Sequence, residues 1–396
     1  MKKFIAAVLS ALVITGSVSL GGCSGNVDSS KISFAGSTYD SNVTEIVVSD
    51  TEITSFDELL SCESLAALTL ENCKITNLSE ISKLTGLKKL ELNDNEISDI
   101  SDISKLSELQ ILSLSGNNIS DITPVAALGK LTYLDISRNP VDNLTPVAAL
   151  SNLETLCADE TNITDITPID SLKGLEKLYL SYNSIMGFSA VTSLENLKVL
   201  DLHASGLSGL GILEDLTDLQ ELHIGENPDI EDFSAVAKLE KLEILYAEND
   251  SITDVSVFKD MPNLKVLYLT NDRIEDVTPL SGIKTLEELN IEGNYVVSQE
   301  NVGDLITALP NCEVTHSDLK TEIELELLKP SSDTDTGTDT DTETDSEEEE
   351  EDSETDSEED KDESEEPEEN EDEQNDTDSV EDGTVTITTT ITEYYE

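Results

Sequence analysis

Side chains able to do chemistry are scarce in this chain of 396 residues, which holds three histidines and no tryptophan. Two of the histidines, His203 and His223, share a neighbourhood in the sequence with Asp201. Two imidazoles and a carboxylate are a donor set for zinc or another transition metal. The same trio also reads as a base with its orienting carboxylate, for which Cys157 would have to be the nucleophile. Whether these groups meet depends on the elements that carry them.

Those elements come from a repeat. From residue 43 to 316 one apolar template returns every 22 residues, L-x-x-L-x-L-x-x-N-x-I-x-x-I-x-x-L-x-x-L-x-x. Units begin at Val43, Leu65, Leu87, Leu109, Leu131, Leu153, Leu175, Leu197, Leu219, Leu242, Leu264 and Leu286. The ninth carries one inserted residue within Asn227-Pro228-Asp229-Ile230, and the twelfth leaves the pattern after Val296. A fixed period of this length means a solenoid, in which each unit stacks only on its neighbours and no unit is stable alone. Function is then to be sought on a surface.

The segment x-L-x-L-x alternates, so it predicts a short strand with the Leu positions inward. The Asn column (Asn95, Asn117, Asn139, Asn183, Asn227, Asn294) turns the chain, and its stacked amides can bond backbone groups that the turn leaves unpaired. Nine units then place Ser or Thr at one column, and Pro124, Pro146, Pro168 and Pro279 follow it in four of them. A hydroxyl N-cap followed by Pro predicts a short helix or 3₁₀ turn. Cys62, Cys73, Cys157 and Cys312 share no column in adjacent units, so they read as free thiols rather than a disulfide framework. With strands about 4.8 Å apart, Cys157 lies three strands, roughly 14 Å, from His223. That is too far for proton transfer. The trio reads as a polar cluster on a solvated sheet, and no catalytic residue, metal or cofactor is expected.

The motif L-x-x-L-x-L-x-x-N-x-I-x-D-I, as in Leu87 to Ile100, resembles the bacterial leucine-rich repeat of the internalin type. The ending Leu305-Ile306-Thr307-Ala308-Leu309-Pro310-Asn311-Cys312-Glu313-Val314 resembles the closing unit of such arrays. The resemblance implies a leucine-rich-repeat solenoid. It would be a curved horseshoe with a parallel β-sheet on the concave face, short 3₁₀ or helical turns on the convex face, and a role in binding other proteins. It implies no particular ligand.

Specificity must come from the outward strand positions, the third, fifth and seventh of each unit. From the seventh unit on, the middle column reads Tyr179, Asp201, His223, Tyr246, Tyr268, flanked by Val199, Ile244 and Val266 on one side and His203 on the other. Tyr133 stands likewise on the fifth unit, and Tyr182 follows the seventh strand. Tyrosine beside exposed Val and Ile is the composition of a binding hot spot. The competing reading is that these rings merely stack across strands.

The flanks are of another kind. Lys2 and Lys3 precede an apolar run from Phe4 to Leu20, the layout of a secretory signal over residues 1–22. The run ends Leu20-Gly21-Gly22-Cys23, similar to the lipobox of bacterial lipoproteins. That similarity implies lipidation at Cys23 and anchoring on the extracellular face of a bacterial membrane. Residues 23–42 would then be tether and N-terminal cap, and 317–330 a linker. Residues 331–380 hold 28 acidic residues against one Lys, and the 331–383 tail should be disordered, with divalent cations as conceivable partners. Residues 384–396 alternate like a strand. The net charge of −64 speaks against nucleic acid. The expected function is recognition of a protein, or less readily a glycan, through the concave face. The alternative is a structural envelope spacer with no dedicated ligand, and an enzyme is not expected.

Overall fold

The computed structural model describes residues 31–296 and 299–317. The leader 1–22, Cys23, the linker beyond residue 317, the acidic tail 331–383 and the segment 384–396 lie outside the described residues.

Thirteen parallel strands, one per repeat plus a closing one, form a single sheet in strict sequence order. The first full strand is β3 (Glu45–Ser49), and the twelfth unit supplies β14 (Glu288–Asn290). Between them each unit adds three to five residues, including β7 (Tyr133–Asp135), β8 (Thr155–Cys157), β9 (Lys177–Tyr179), β10 (Val199–Asp201), β11 (Glu221–His223), β12 (Ile244–Tyr246) and β13 (Val266–Tyr268). Register follows the repeat: Leu200 pairs with Leu222 and Leu178, and Leu245 with Leu267. The inward column is therefore a continuous row of buried Leu, and one elongated core runs from Phe34 to Leu309. A unit removed from this stack would expose its Leu face on both sides, which is why stability belongs to the array and not to the repeat.

The Asn column works as its chemistry requires. Asn117 Nδ2 donates to the carbonyls of Leu92 (2.9 Å) and Leu114 (2.8 Å), while its Oδ1 accepts the N–H of Ile97 (3.1 Å). Asn95, Asn139, Asn183, Asn227 and Asn294 repeat the amide's donations. Just before this column each turn passes through a left-handed residue, for example Asp94, Arg138 and Tyr182. Asp250 and Asp272 occupy the Asn column in the tenth and eleventh units. Each Oδ1 still accepts backbone N–H bonds, but each Oδ2 is buried with no partner, where Asn would place its donor. Burial first, and then for Asp250 the neighbouring Asp272, pushes the Asp250 carboxyl up to about 8; burial chiefly pushes Asp272 to about 7.

Three features differ from the sequence reading. The Ser/Thr–Pro column does start 3₁₀ turns, as at Thr123–Ala127, but the hydroxyl is not the cap. The acceptor is an Asp or Asn two residues earlier: Asp121 Oδ1 takes the N–H of Thr123, and Asn143 Oδ1 that of Thr145. Such an Asx turn prepares the 3₁₀ start; the Thr123 side chain and then its N–H hold the Asp121 carboxyl below the ordinary carboxylate range, and the N–H and then the side chain of Ser101 and of Thr167 do so for Asp99 and Asp165. Second, the N-terminal cap contains an antiparallel hairpin, β1 (Lys31–Phe34) and β2 (Ser37–Asp40). Ala35 and Gly36 both have positive φ, as a two-residue hairpin turn demands, and Phe34 packs near Phe56 over the first unit. Third, after Val296 the twelfth unit uses a true helix, α1 (Gln299–Ala308), in place of the 3₁₀ turn, and β15 (Glu313–Thr315) closes the sheet edge. Cys62, Cys73, Cys157 and Cys312 are free thiols.

Candidate functional site

Because Leu pairs with Leu, the alternate positions on β9 to β13 must align on the open face. Register places Tyr179 beside Asp201, Asp201 beside His223, His223 beside Tyr246, and Tyr246 beside Tyr268. Rings in adjacent strands at this spacing stack. The His223 and Tyr246 centroids lie 4.5 Å apart at an interplanar angle of 22°, and Tyr246 and Tyr268 are 4.7 Å apart. The rings brace one another across the strands, and His223, Tyr246 and Tyr268 each stay half-buried. Ile244 and Val266, in register beside this ladder, are likewise half-buried.

Carboxylates frame the ladder. His223 Nε2 lies 2.8 Å from Glu221 Oε1, and the Tyr268 hydroxyl donates to Glu288. Burial pulls the His223 imidazole down, but the bond to Glu221 and the charges of Asp201 and Glu248 outweigh it, leaving the pKa above its ordinary value. Burial chiefly pushes the Tyr246 hydroxyl up to about 12, so it stays protonated at neutral pH.

Two residues sit deeper than their column suggests. Val199 is 7% exposed, because its short side chain stands in register between Lys177 and Glu221, both longer. His203 is 6% exposed and meets the Tyr182 ring edge-on at 5.2 Å. Neither offers the open area expected of it. Tyr182 is 39% exposed. Tyr133 lies apart on β7, half-buried, with its hydroxyl 3.8 Å from Cys157 Sγ. The structure does not join it to the ladder.

The trio that opened the analysis also disperses. Asp201 Oδ1 accepts the backbone N–H of His203 (2.9 Å), the His223 ring turns to Glu221, and His203 Nε2 lies 3.6 Å from Glu226 Oε1. Among the described residues no group of three His, Cys, Asp or Glu side chains is placed to hold a metal ion. Burial, first of all, pushes the Cys157 thiol well above its ordinary pKa, which leaves it a poor nucleophile.

Sequence reasoning overlooked Gly225, Glu226 and Glu248. Gly225, just past β11, is the single glycine among the third, fifth and seventh positions of the units. A Cβ there would lie 2.9 Å from the Glu248 carbonyl, 3.0 Å from His203 Nδ1 and 3.1 Å from Glu248 Cδ, so the glycine lets His203 and Glu248 close over it. That lone Gly was the available signal. Elsewhere, a shallow polar depression beside Gly211–Leu213 has Glu214, Asp229 and Asp232 in its lining, but no buried unpartnered side chain points into it.

Residues 42–184 match the family model of a leucine-rich repeat region. No curated protein matches the chain. Among solved structures, an internalin (inlF) from Listeria monocytogenes str. 4b F2365 is 28% identical, with 73% of this chain and 87% of that one covered at a TM-score of 0.63. The functional domain of InlJ from Listeria monocytogenes, described as including a cysteine ladder, is 19% identical over 71% of each chain at 0.51. TLR13 in complex with ssRNA13 is 21% identical over 68% of this chain and 43% of that one at 0.53. At such identities the last two speak to fold alone. A solenoid of this kind presents a face rather than an enclosed cavity, which suits recognition of other proteins. The repeats, the sheet and the likeness to inlF together make this an internalin-like leucine-rich-repeat protein.

Proposed function

We propose that this chain is a lipid-anchored recognition protein of the bacterial cell surface that binds a protein ligand through the open sheet face over β9 to β13. The observation that carries the reading is the His223–Tyr246–Tyr268 ring ladder, flanked by half-buried Ile244 and Val266. Rings braced by stacking lose little entropy when a partner covers them, and Tyr adds large area with a polar tip. Anchoring rests on the sequence Leu20-Gly21-Gly22-Cys23 behind an apolar leader, with Cys23 as the acylated residue. The extracellular placement follows from the same motif. A glycan ligand is the less favoured variant of this reading. A spacer without ligand is the alternative, and it assigns the rings to sheet stability alone.

Replacing Tyr179, Tyr246 and Tyr268 together by Ala separates the two. The docking reading expects partner capture and surface adhesion to fall at least tenfold while the far-ultraviolet circular dichroism stays native. Unchanged capture by a folded triple variant would sink it. For the anchor, Cys23→Ala should move the protein from the membrane fraction to the medium.

A further inference from the structure

The thirteen-stranded sheet ends differently at its two edges. At one end β15 is three residues long, with Glu313 and Thr315 exposed. At the other, β3 is five residues long, a length matched in this sheet only by its neighbour β4 (Ala67–Glu71). Among the described residues no strand pairs with the outer side of β3. The N-terminal hairpin pairs only within itself, although Ile46 and Val48 below the strand are buried. Parity decides where the backbone of β3 points. The Thr44 carbonyl accepts the N–H groups of Ala66 and Ala67, and the Asp50 N–H reaches the Glu71 carbonyl, so Thr44, Ile46, Val48 and Asp50 bond β4. The N–H and C=O groups of Glu45, Val47 and Ser49 therefore face away from it. Of these, the Ser49 carbonyl takes the Thr51 hydroxyl (3.1 Å). Among the described residues Val47, 60% exposed, is the one large apolar side chain on a strand that stays open. Natural sheets guard such an edge with Lys, Pro, a bulge or a very short strand. β3 has none of these.

We infer that this edge pairs with the same edge of a second copy of the chain, antiparallel about a two-fold axis through Val47. Antiparallel strands exchange both bonds at every second residue. Here those residues are the ones that face outward: Val47 with Val47 of the second copy, and Glu45 with Ser49 of the second copy. This register uses all five residues, joins the two exposed Val side chains and sets no like charges opposite one another. Ile46 then lies opposite the inward Val48 of the second copy, so the buried row continues beneath. Both copies use one patch, so the contact closes at two and cannot run on as a filament. The axis stands perpendicular to the sheet, and both open faces point the same way. The net charge of −64 opposes association. Salt at 0.15 M screens that repulsion beyond about 8 Å, whereas strand bonds form in contact. A single strand pair falls short of the roughly 1,200 Å² of a stable interface, so the dimer is weak and reversible. The inference is independent of the docking surface proposed above.

The test uses the full chain in detergent at physiological salt, with a short bis-maleimide to trap transient pairs. Val47→Cys should yield a covalent dimer at least tenfold above the unsubstituted chain, which sets the baseline for the native thiols. Leu60→Cys, exposed in the same unit but off the edge, should stay at that baseline. Self-adducts carry twice the mass of the chain and so are not confused with adducts of a ligand. Sedimentation equilibrium then reads the register. Ser49→Lys, which meets Glu45 of the second copy twice, should tighten the dimer several-fold, and Ser49→Glu should loosen it by a similar factor. Ser61→Lys makes the same charge change off the edge and should leave the equilibrium as it is. Val47→Pro removes an N–H that β4 does not use, so the circular dichroism should stay native while the dimer disappears. Crosslinking at Val47 no higher than at Leu60 overturns the pairing, whether another strand or none covers the edge. Ser49 variants that shift the equilibrium in the same direction, or not at all, overturn it too.

Discussion

The two halves of the sheet face carry similar charge and handle it differently. On the strands before β9, carboxylates meet small hydroxyls and cations, although Glu91 Oε1 stays buried without a hydrogen-bond partner. Glu91 takes the Thr69 hydroxyl (2.7 Å) and pairs with Lys89 (3.1 Å), Asp135 takes the Ser113 hydroxyl and the Ser137 N–H, and Arg138 reaches Asp94 (2.9 Å). From β9 onward the small hydroxyls give way to stacked rings, and His203 Nε2 and Glu248 Oε2 are, like Glu91 Oε1, buried without a hydrogen-bond partner. The departure continues beneath the surface, where the Asn ladder switches to Asp250 and Asp272. Stability alone would have kept Asn and small hydroxyls, as the neighbouring units do. Regions that break a local rule for no structural gain are where function is to be sought.

The largest effect should come from breaking the ladder in the regular half. Asn117→Ala leaves the Leu92 and Leu114 carbonyls and the Ile97 N–H unpaired in a buried site, so we expect a loss of about 3 kcal/mol or more in urea unfolding. The same position in the second half should answer with the opposite sign. Asp272→Asn restores the missing donor and removes a buried carboxyl, and a gain of about 1–3 kcal/mol at pH 8.5 is expected. The sign with pH is definite. An unfolded Asp titrates near 3.9, while the folded Asp250 and Asp272 titrate at about 8 and about 7. Protonated carboxyls cost nothing extra below the unfolded value, and the stability is lost as pH rises through the folded values. Melting curves at pH 4 and pH 8.5 should therefore show wild type losing more than Asp250→Asn/Asp272→Asn. Equal losses would contradict the account of the ladder.

Glycine contrasts sharpen the comparison at smaller magnitude. Gly225→Ala places its Cβ against the Glu248 carbonyl and should cost about 1–3 kcal/mol. Gly129→Ala meets nothing within 4 Å, and its melting temperature should barely move. Smallest of all is Lys130→Gln, which breaks an exposed pair with Glu108 (2.6 Å) and should change stability by less than about 0.5 kcal/mol.

The array was legible because burial imposes a period: one missing Leu per unit opens the core, so every unit shows it. Column logic even placed the Tyr246–Tyr268 contact, since register follows from matching Leu. What escaped were features that obey local rather than periodic rules. The Asx caps hid because Asp121 and its counterparts look like ordinary surface acids, and the hairpin at Lys31–Asp40 hid because it occurs once. Val199 and His203 were read as open because a column assigns a direction, not a depth; depth depends on the length of the neighbours. Gly225 was visible as a letter, but its meaning required the side chains that lean over it.

The docking claim is met most directly by a photo-crosslinking amino acid placed at single positions of the full chain on intact cells. At Tyr246 we expect a crosslinked protein adduct at high yield, and at Thr69, in the same column of the first half, little or none. Equal yields at the two positions, or adducts at Thr69 alone, would contradict it.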